Sequence, residues 1–171
     1  MFEPNEAEFA SMQRAFALHE LPMEDARKGH QRPKIEEYGE SLFVVMHVVE
    51  AMDSDINVGE VSVFVGSRYV LSVRLRTQRG FAAVRSRCER EPALLGFGPG
   101  YVLYAIMDNV VDRYFPVLDA VETELEEIEK RIFSAHDNRA IIESLYALKQ
   151  KLVALKHATG VIVEAMPLLR L

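Results

Sequence analysis

Leu42-Phe43-Val44-Val45-Met46-His47-Val48-Val49 is an eight-residue run with a single polar interruption, and four of its members are β-branched valines. A run this uniformly apolar reads as a strand covered on both faces, because a half-exposed strand alternates apolar and polar residues. The segments around it complete an α/β body. Val58–Val65 and Tyr69–Leu75 flank Gly66-Ser67-Arg68, which predicts a β-hairpin turning at the glycine. Upstream, Phe9, Met12, Ala15, Phe16 and Leu18 recur near helical spacing and predict an amphipathic helix over Glu6–Leu18. A short helix is expected from about Pro22 to Lys28. Glu24 and Asp25 lie near its positive end and Gly29 stops it. Gln31-Arg32-Pro33-Lys34 follows as an extended connector, since the residue before a proline avoids the helical region. A further helix is predicted over Phe81–Arg90, ahead of Pro92.

Leu94-Leu95-Gly96-Phe97-Gly98-Pro99-Gly100 carries three glycines and a proline in seven residues, a strong breaker. It divides the chain into an expected body, residues 1–95, and an expected helical hairpin, residues 96–171. A helix starting near Pro99 is predicted to continue to about Phe133, bent at Pro116 by the loss of one backbone hydrogen bond. Leu118, Val121, Leu125, Ile128 and Ile132 form a narrow heptad seam, and Ile141, Leu145, Leu148, Leu152 and Leu155 form a second. The polar link Ser134–Asn138 is short, so the two seams predict an antiparallel pair, a stalk on the α/β body.

The chain has 171 residues, with 26 acids against 20 bases and a formal charge of −6. That balance disfavours nucleic acid as a partner, because neutralising phosphates needs a positive surplus. One cysteine, Cys88, excludes an internal disulfide and fits a reducing compartment. No apolar run approaches the ~20 residues that cross a bilayer, and no secretory leader is visible, so a soluble cytoplasmic piece is expected. Catalytic patterns are missing: there is no phosphate loop, HExxH, cysteine pair or Gly-x-Ser-x-Gly elbow. His47, inside the strand, reads as a satisfied core or interface histidine rather than a ligand. Cys88, with no recognisable base, reads as an inert thiol rather than a nucleophile, and the seven arginines between Arg68 and Arg90 as a solvated face paired with acids elsewhere rather than a local anion site. The acids of the stalk, Asp119 to Glu129, are compatible with a solvated face or with loose attraction for hydrated divalent cations.

Two stretches carry a family resemblance. Leu18-His19-Glu20-Leu21-Pro22-Met23-Glu24-Asp25-Ala26, followed by His30-Gln31-Arg32-Pro33-Lys34-Ile35-Glu36, resembles the "LHPLxLED…QRPKxE" stretch of the CorA family of divalent-cation transporters. Tyr101-Val102-Leu103-Tyr104-Ala105-Ile106-Met107-Asp108-Asn109-Val110-Val111-Asp112-Arg113-Tyr114-Phe115 is similar to that family's "YLLYxLxDxxVDxYF". The resemblance covers essentially the whole chain. It implies an α/β/α sandwich body with long helices running towards a membrane, five identical subunits around one pore, and Mg²⁺ or Co²⁺ as regulatory and transported ion. By the resemblance, Glu24, Asp25 and Asp108 match carboxylates that sense cation between neighbouring subunits. Carboxylates suit a hard cation that retains several of its waters. Taken without the resemblance, Glu24 and Asp25 could simply offset a helix dipole, and Asp108 could be an ordinary exposed helix acid.

The family's transmembrane helices and the glycine-methionine-asparagine signature of its pore mouth are not in these 171 residues. The chain is therefore expected to be a non-enzymatic regulatory piece on the cytoplasmic face, joined to the membrane by helices outside it. The related zinc-transporting branch (ZntB-like) is the alternative. A stand-alone coiled-coil interaction protein or a small metal-dependent enzyme is a third reading, for which no nucleophile, base and oxyanion donor come together.

Overall fold

The computed structural model describes residues 1–52, 55–77, 79–134 and 138–165. Its elements follow the order α1 (Glu6–Phe16), α2 (Glu20–Lys28), β1 (Lys34–Tyr38), β2 (Ser41–Ala51), β3 (Ile56–Val65), β4 (Val70–Leu75), α3 (Ala82–Arg90), α4 (Pro92–Leu95), α5 (Pro99–Asp112), α6 (Phe115–Ser134) and α7 (Asn138–Ala165). The four strands form an antiparallel meander in sequence order. β2 sits inside it, and the side chains of Phe43 through Met46, with Val48 and Val49, are at most 1% exposed.

Alternation along β2 sends its residues into two cores. Phe43 and Val45 join Phe64 and Val73 beneath α1 and α2, where Phe9, Met12, Met23 and Ala26 close the layer. Val44, Met46 and Val48 join Val61 and Val63 beneath α5, together with Leu148, Leu155 and Ala158 of α7. The body is thus an α/β/α sandwich, as expected. β1 is a strand that periodicity did not predict: Lys-Ile-Glu-Glu-Tyr has only Ile35 packed against the main core, and its edge position leaves the rest partly exposed.

Local chemistry sets the helix ends. Asn5 and Glu8 form a reciprocal capping box at the start of α1. The His19 ring accepts the Leu21 N–H at the start of α2. Gly29 ends α2 at φ 63°, a left-handed backbone that glycine adopts without penalty.

Two expectations about the helical half need correction. The long helix does not run through Pro116 with a bend; it stops at Asp112 and restarts at Phe115. Pro116 is then the second residue of α6, inside the first turn, where its missing N–H removes no intrahelical bond. The two seams do pack antiparallel, but only alternate members are buried. Val121, Ile128, Ile141, Leu148 and Leu155 are at most 7% exposed, whereas Leu118, Leu125, Ile132, Leu145 and Leu152 are 40–47% exposed. Cross-contacts fix the register: Lys151 Nζ meets Glu124 at 2.6 Å, and Arg131 Nη1 donates to Ser144 at 3.2 Å. Seven residues forward on α6 thus correspond to seven back on α7. Most of the link between the helices, residues 135–137, lies outside the described residues.

Half-burial of the seam has a measurable consequence. Ile128→Ala should destabilise the chain by about 2–5 kcal/mol, while Ile132→Ala should stay near 0.5 kcal/mol, both read by urea denaturation. Similar losses at both positions would mean that the whole seam is covered.

Candidate metal centre

α2 places Glu24 and Asp25 on the outer surface of one helical layer. Glu24 points to solvent and accepts from Lys28 Nζ, one helical turn on. That hydrogen bond, reinforced by the charge of Lys28, holds the Glu24 carboxyl below its usual range. Asp25 turns towards the start of β1, where Lys34 Nζ lies 2.7 Å from Asp25 Oδ2 and 2.8 Å from Glu36 Oε2. Partial burial works against the Lys34 charge, but the hydrogen bonds to Asp25 and Glu36 outweigh it and hold the ammonium above its usual range. The Lys34 ammonium also lies 5.8 Å from the Phe43 ring centroid, so this cation is fixed by the core beneath it.

Asp108 belongs to the opposite layer. It sits on α5 between Met107, which faces the core, and half-exposed Asn109. Arg87 of α3 donates from Nη1 to Asp108 Oδ2 at 2.6 Å, and this hydrogen bond holds the guanidinium above its usual range. One member of the arginine-rich stretch is therefore the fixed partner of a candidate ligand, and Arg85 pairs with Glu89 on the same helix. The neighbouring Cys88 is buried, and that burial pushes its thiol up despite Arg87. Burial, rather than the surrounding arginines, dominates its environment.

The sheet separates Glu24 and Asp25 from Asp108, so one chain does not bring the three together. Among the described residues, no three His, Cys, Asp or Glu side chains converge to hold a metal ion. What each chain offers is two separate sets of carboxylate oxygens. Each set is already held by a cation of the same chain.

His47 behaves as a satisfied histidine: it is half-buried, with Nε2 3.0 Å from the Gln31 carbonyl oxygen. Two anchoring residues escaped sequence reasoning. Tyr114 donates its hydroxyl to the His47 carbonyl at 2.6 Å. Arg113 donates to the carbonyls of Arg79 and Gly80, at 3.2 and 2.7 Å, and to Asn109 Oδ1 at 2.8 Å. Their place in the Val-Asp-Arg-Tyr-Phe stretch was the available signal, but the carbonyls that they anchor to are distant in sequence.

Among the described residues, no helix is long and apolar enough to cross a membrane. Comparison with known proteins gives a family. The chain is 36% identical over 131 residues to YfjQ of Bacillus subtilis, covering 75% of this chain and 40% of that protein. It is 26% identical over 144 residues to the cobalt/magnesium transport protein CorA of Thermotoga maritima, covering 82% and 41% respectively. The chain therefore spans about two fifths of the length of these relatives. Its fold matches the soluble domain of CorA from Methanocaldococcus jannaschii with a TM-score of 0.73 at 17% identity, over 98% of this chain and 67% of that one. The model of the CorA-like Mg²⁺ transporter proteins matches residues 1–169, and the chain belongs to that family.

Proposed function

We propose that this chain is the cation-sensing part of a magnesium or cobalt transporter, gating passive passage of divalent ions through a pore formed elsewhere in the protein. The observation that carries this reading is the pairing of Glu24, Asp25 and Asp108 with Lys28, Lys34 and Arg87 on opposite outer layers of one sandwich. No covalent chemistry is involved. In a homopentamer at the cytoplasmic face of a membrane, the α2 layer of one subunit meets the α5 layer of the next. Carboxylates from the two chains then share one hydrated cation.

The chemistry of the donor set fits such an ion. Mg²⁺ takes oxygen ligands and gives up its waters reluctantly, so one or two carboxylates reached through retained water suffice. Each carboxylate exchanges a monovalent partner in its own chain for a divalent one shared between chains. The intrachain pairs are half-exposed or exposed, so solvent screens them and their replacement is inexpensive. Cation at the contact favours the closed arrangement, and its loss frees the subunits to move, a population shift set by differential affinity.

Adding Mg²⁺ at about 10 mM should raise the melting temperature of the chain and increase its self-association in sedimentation. Both responses should vanish in the Glu24→Ala/Asp25→Ala/Asp108→Ala variant, because a ligand that binds only the native assembly stabilises it by mass action. An equal response in the triple variant would eliminate these ligands. A response to Zn²⁺ with none to Mg²⁺ would favour the zinc-transporting branch.

Arg87→Ala supplies an independent test. With its guanidinium competitor removed, Asp108 should respond at lower Mg²⁺ concentration, by about three- to tenfold, while the unliganded chain loses at most about 1 kcal/mol. An unchanged or higher midpoint would show that Arg87 does not compete for Asp108.

A further inference from the structure

Away from these carboxylates, an open cleft of about 890 Å³ lies between the connector after α2, the middle of β2, the start of β3, the end of β4 and the last turns of α7. Its polar walls carry His30, Arg32, His47, Arg76, Lys156 and His157. Among the described residues no carboxylate lines it. In a chain of net charge −6, this is a local reversal of sign.

The cleft is held in shape from beneath. Glu60 of β3 is fully buried; its Oε2 accepts the Gln31 N–H at 3.0 Å and lies 3.6 Å from Arg76 Nη2. One carboxylate thus ties the connector to the end of β4. Arg76 Nη1 in turn lies 3.2 Å from His30 Nε2. His30 and Arg76 both adopt φ 58°, a left-handed backbone that non-glycine residues rarely take and that persists where the surroundings impose it. The His47 ring is fixed by its contact with the Gln31 carbonyl. Glu60 offsets the charge of Arg76. The surplus therefore comes from Arg32 and Lys156, which form no ion pair among the described residues.

We propose that this cleft binds a soluble, phosphate-bearing small anion. The volume suits a small ligand. Arginine offers a planar fork of donors to phosphate oxygens, and lysine adds a compact point charge. The cleft touches none of the three candidate cation ligands, so this assignment stands or falls apart from cation sensing.

Inorganic pyrophosphate in magnesium-free buffer is the probe, with binding to the 171-residue chain measured by titration calorimetry. Arg32→Ala/Lys156→Ala should weaken binding by at least about tenfold, because two charge-assisted contacts are lost. Both side chains are exposed, so the fold should persist, which circular dichroism checks. Arg14→Ala/Lys149→Ala removes two exposed cations that lie outside the cleft and should change binding by less than about twofold. Equal weakening in both double variants would reduce the effect to diffuse charge and overturn the proposal. So would a lack of binding at about 1 mM pyrophosphate. Capture of the chain by phosphatidic acid vesicles without pyrophosphate binding would overturn the soluble ligand.

Discussion

Burial of β2 on both faces is the constraint from which the architecture follows. A strand with Phe43, Val44, Val45, Met46, Val48 and Val49 all withdrawn from water cannot sit at the rim of a sheet or beneath a single layer. It requires neighbours on both edges, supplied by β1 and β3, and helices above and below. Those helices are the ones bearing the candidate ligands. The same burial that closes the core therefore sends Glu24 and Asp25 to one outer surface and Asp108 to the other. Within one chain the sheet keeps them apart.

The break between α5 and α6 joins the sandwich to the stalk. Arg113 and Tyr114 occupy it, and both side chains reach back into the body. Arg113 is half-buried beside Glu50, with Nη1 3.8 Å from Oε1, and its guanidinium lies 5.0 Å from the Phe81 ring centroid. Burial pushes this guanidinium below its usual range, with the Glu50 charge acting against that effect. Tyr114 is buried and its hydroxyl is pushed up by desolvation, so it stays protonated and serves as a donor. The hydroxyl donates to the His47 carbonyl of β2 at 2.6 Å, and the Ala158 carbonyl of α7 lies 3.4 Å away. One phenol thus ties the break to the central strand and lies against the returning helix. A displacement of the hairpin against the sheet must break or stretch these contacts.

Much of this was legible in the residues. The Leu42–Val49 run, the Gly66 turn, the Gly29 stop and the two heptad seams all express local rules, and each element lies where those rules put it. What escaped was set by contacts distant in sequence. β1 packs Ile35 against one core and Tyr38 against the other, too few residues for any periodicity to register. The break at Arg113 was misread as a bend because Pro116 disrupts a helix interior yet is well tolerated in a first turn. At the candidate site, a family motif marks the carboxylates but says nothing of their counter-ions. Lys28 is visible by its four-residue spacing from Glu24. Arg87 is 21 residues from Asp108, on another helix, and only packing of α3 against α5 could pair them.

These counter-ions bear on why the carboxylates could serve as a sensor rather than as a permanent ion cage. A dense cluster of unpaired acids would repel itself, hold a cation tightly and respond little to changes in its concentration. Here each acid has a stable resting partner, and Lys34 is fixed by Glu36 and the Phe43 ring as well as by Asp25. Losing Asp25 to a cation leaves Lys34 still paired, so the exchange strands no buried charge. The same holds for Arg87, which keeps Glu91 within 3.8 Å when Asp108 is withdrawn. On the proposed reading each candidate ligand changes partners without unfolding its surroundings, and cation concentration rather than the stability of the fold sets the balance between partners.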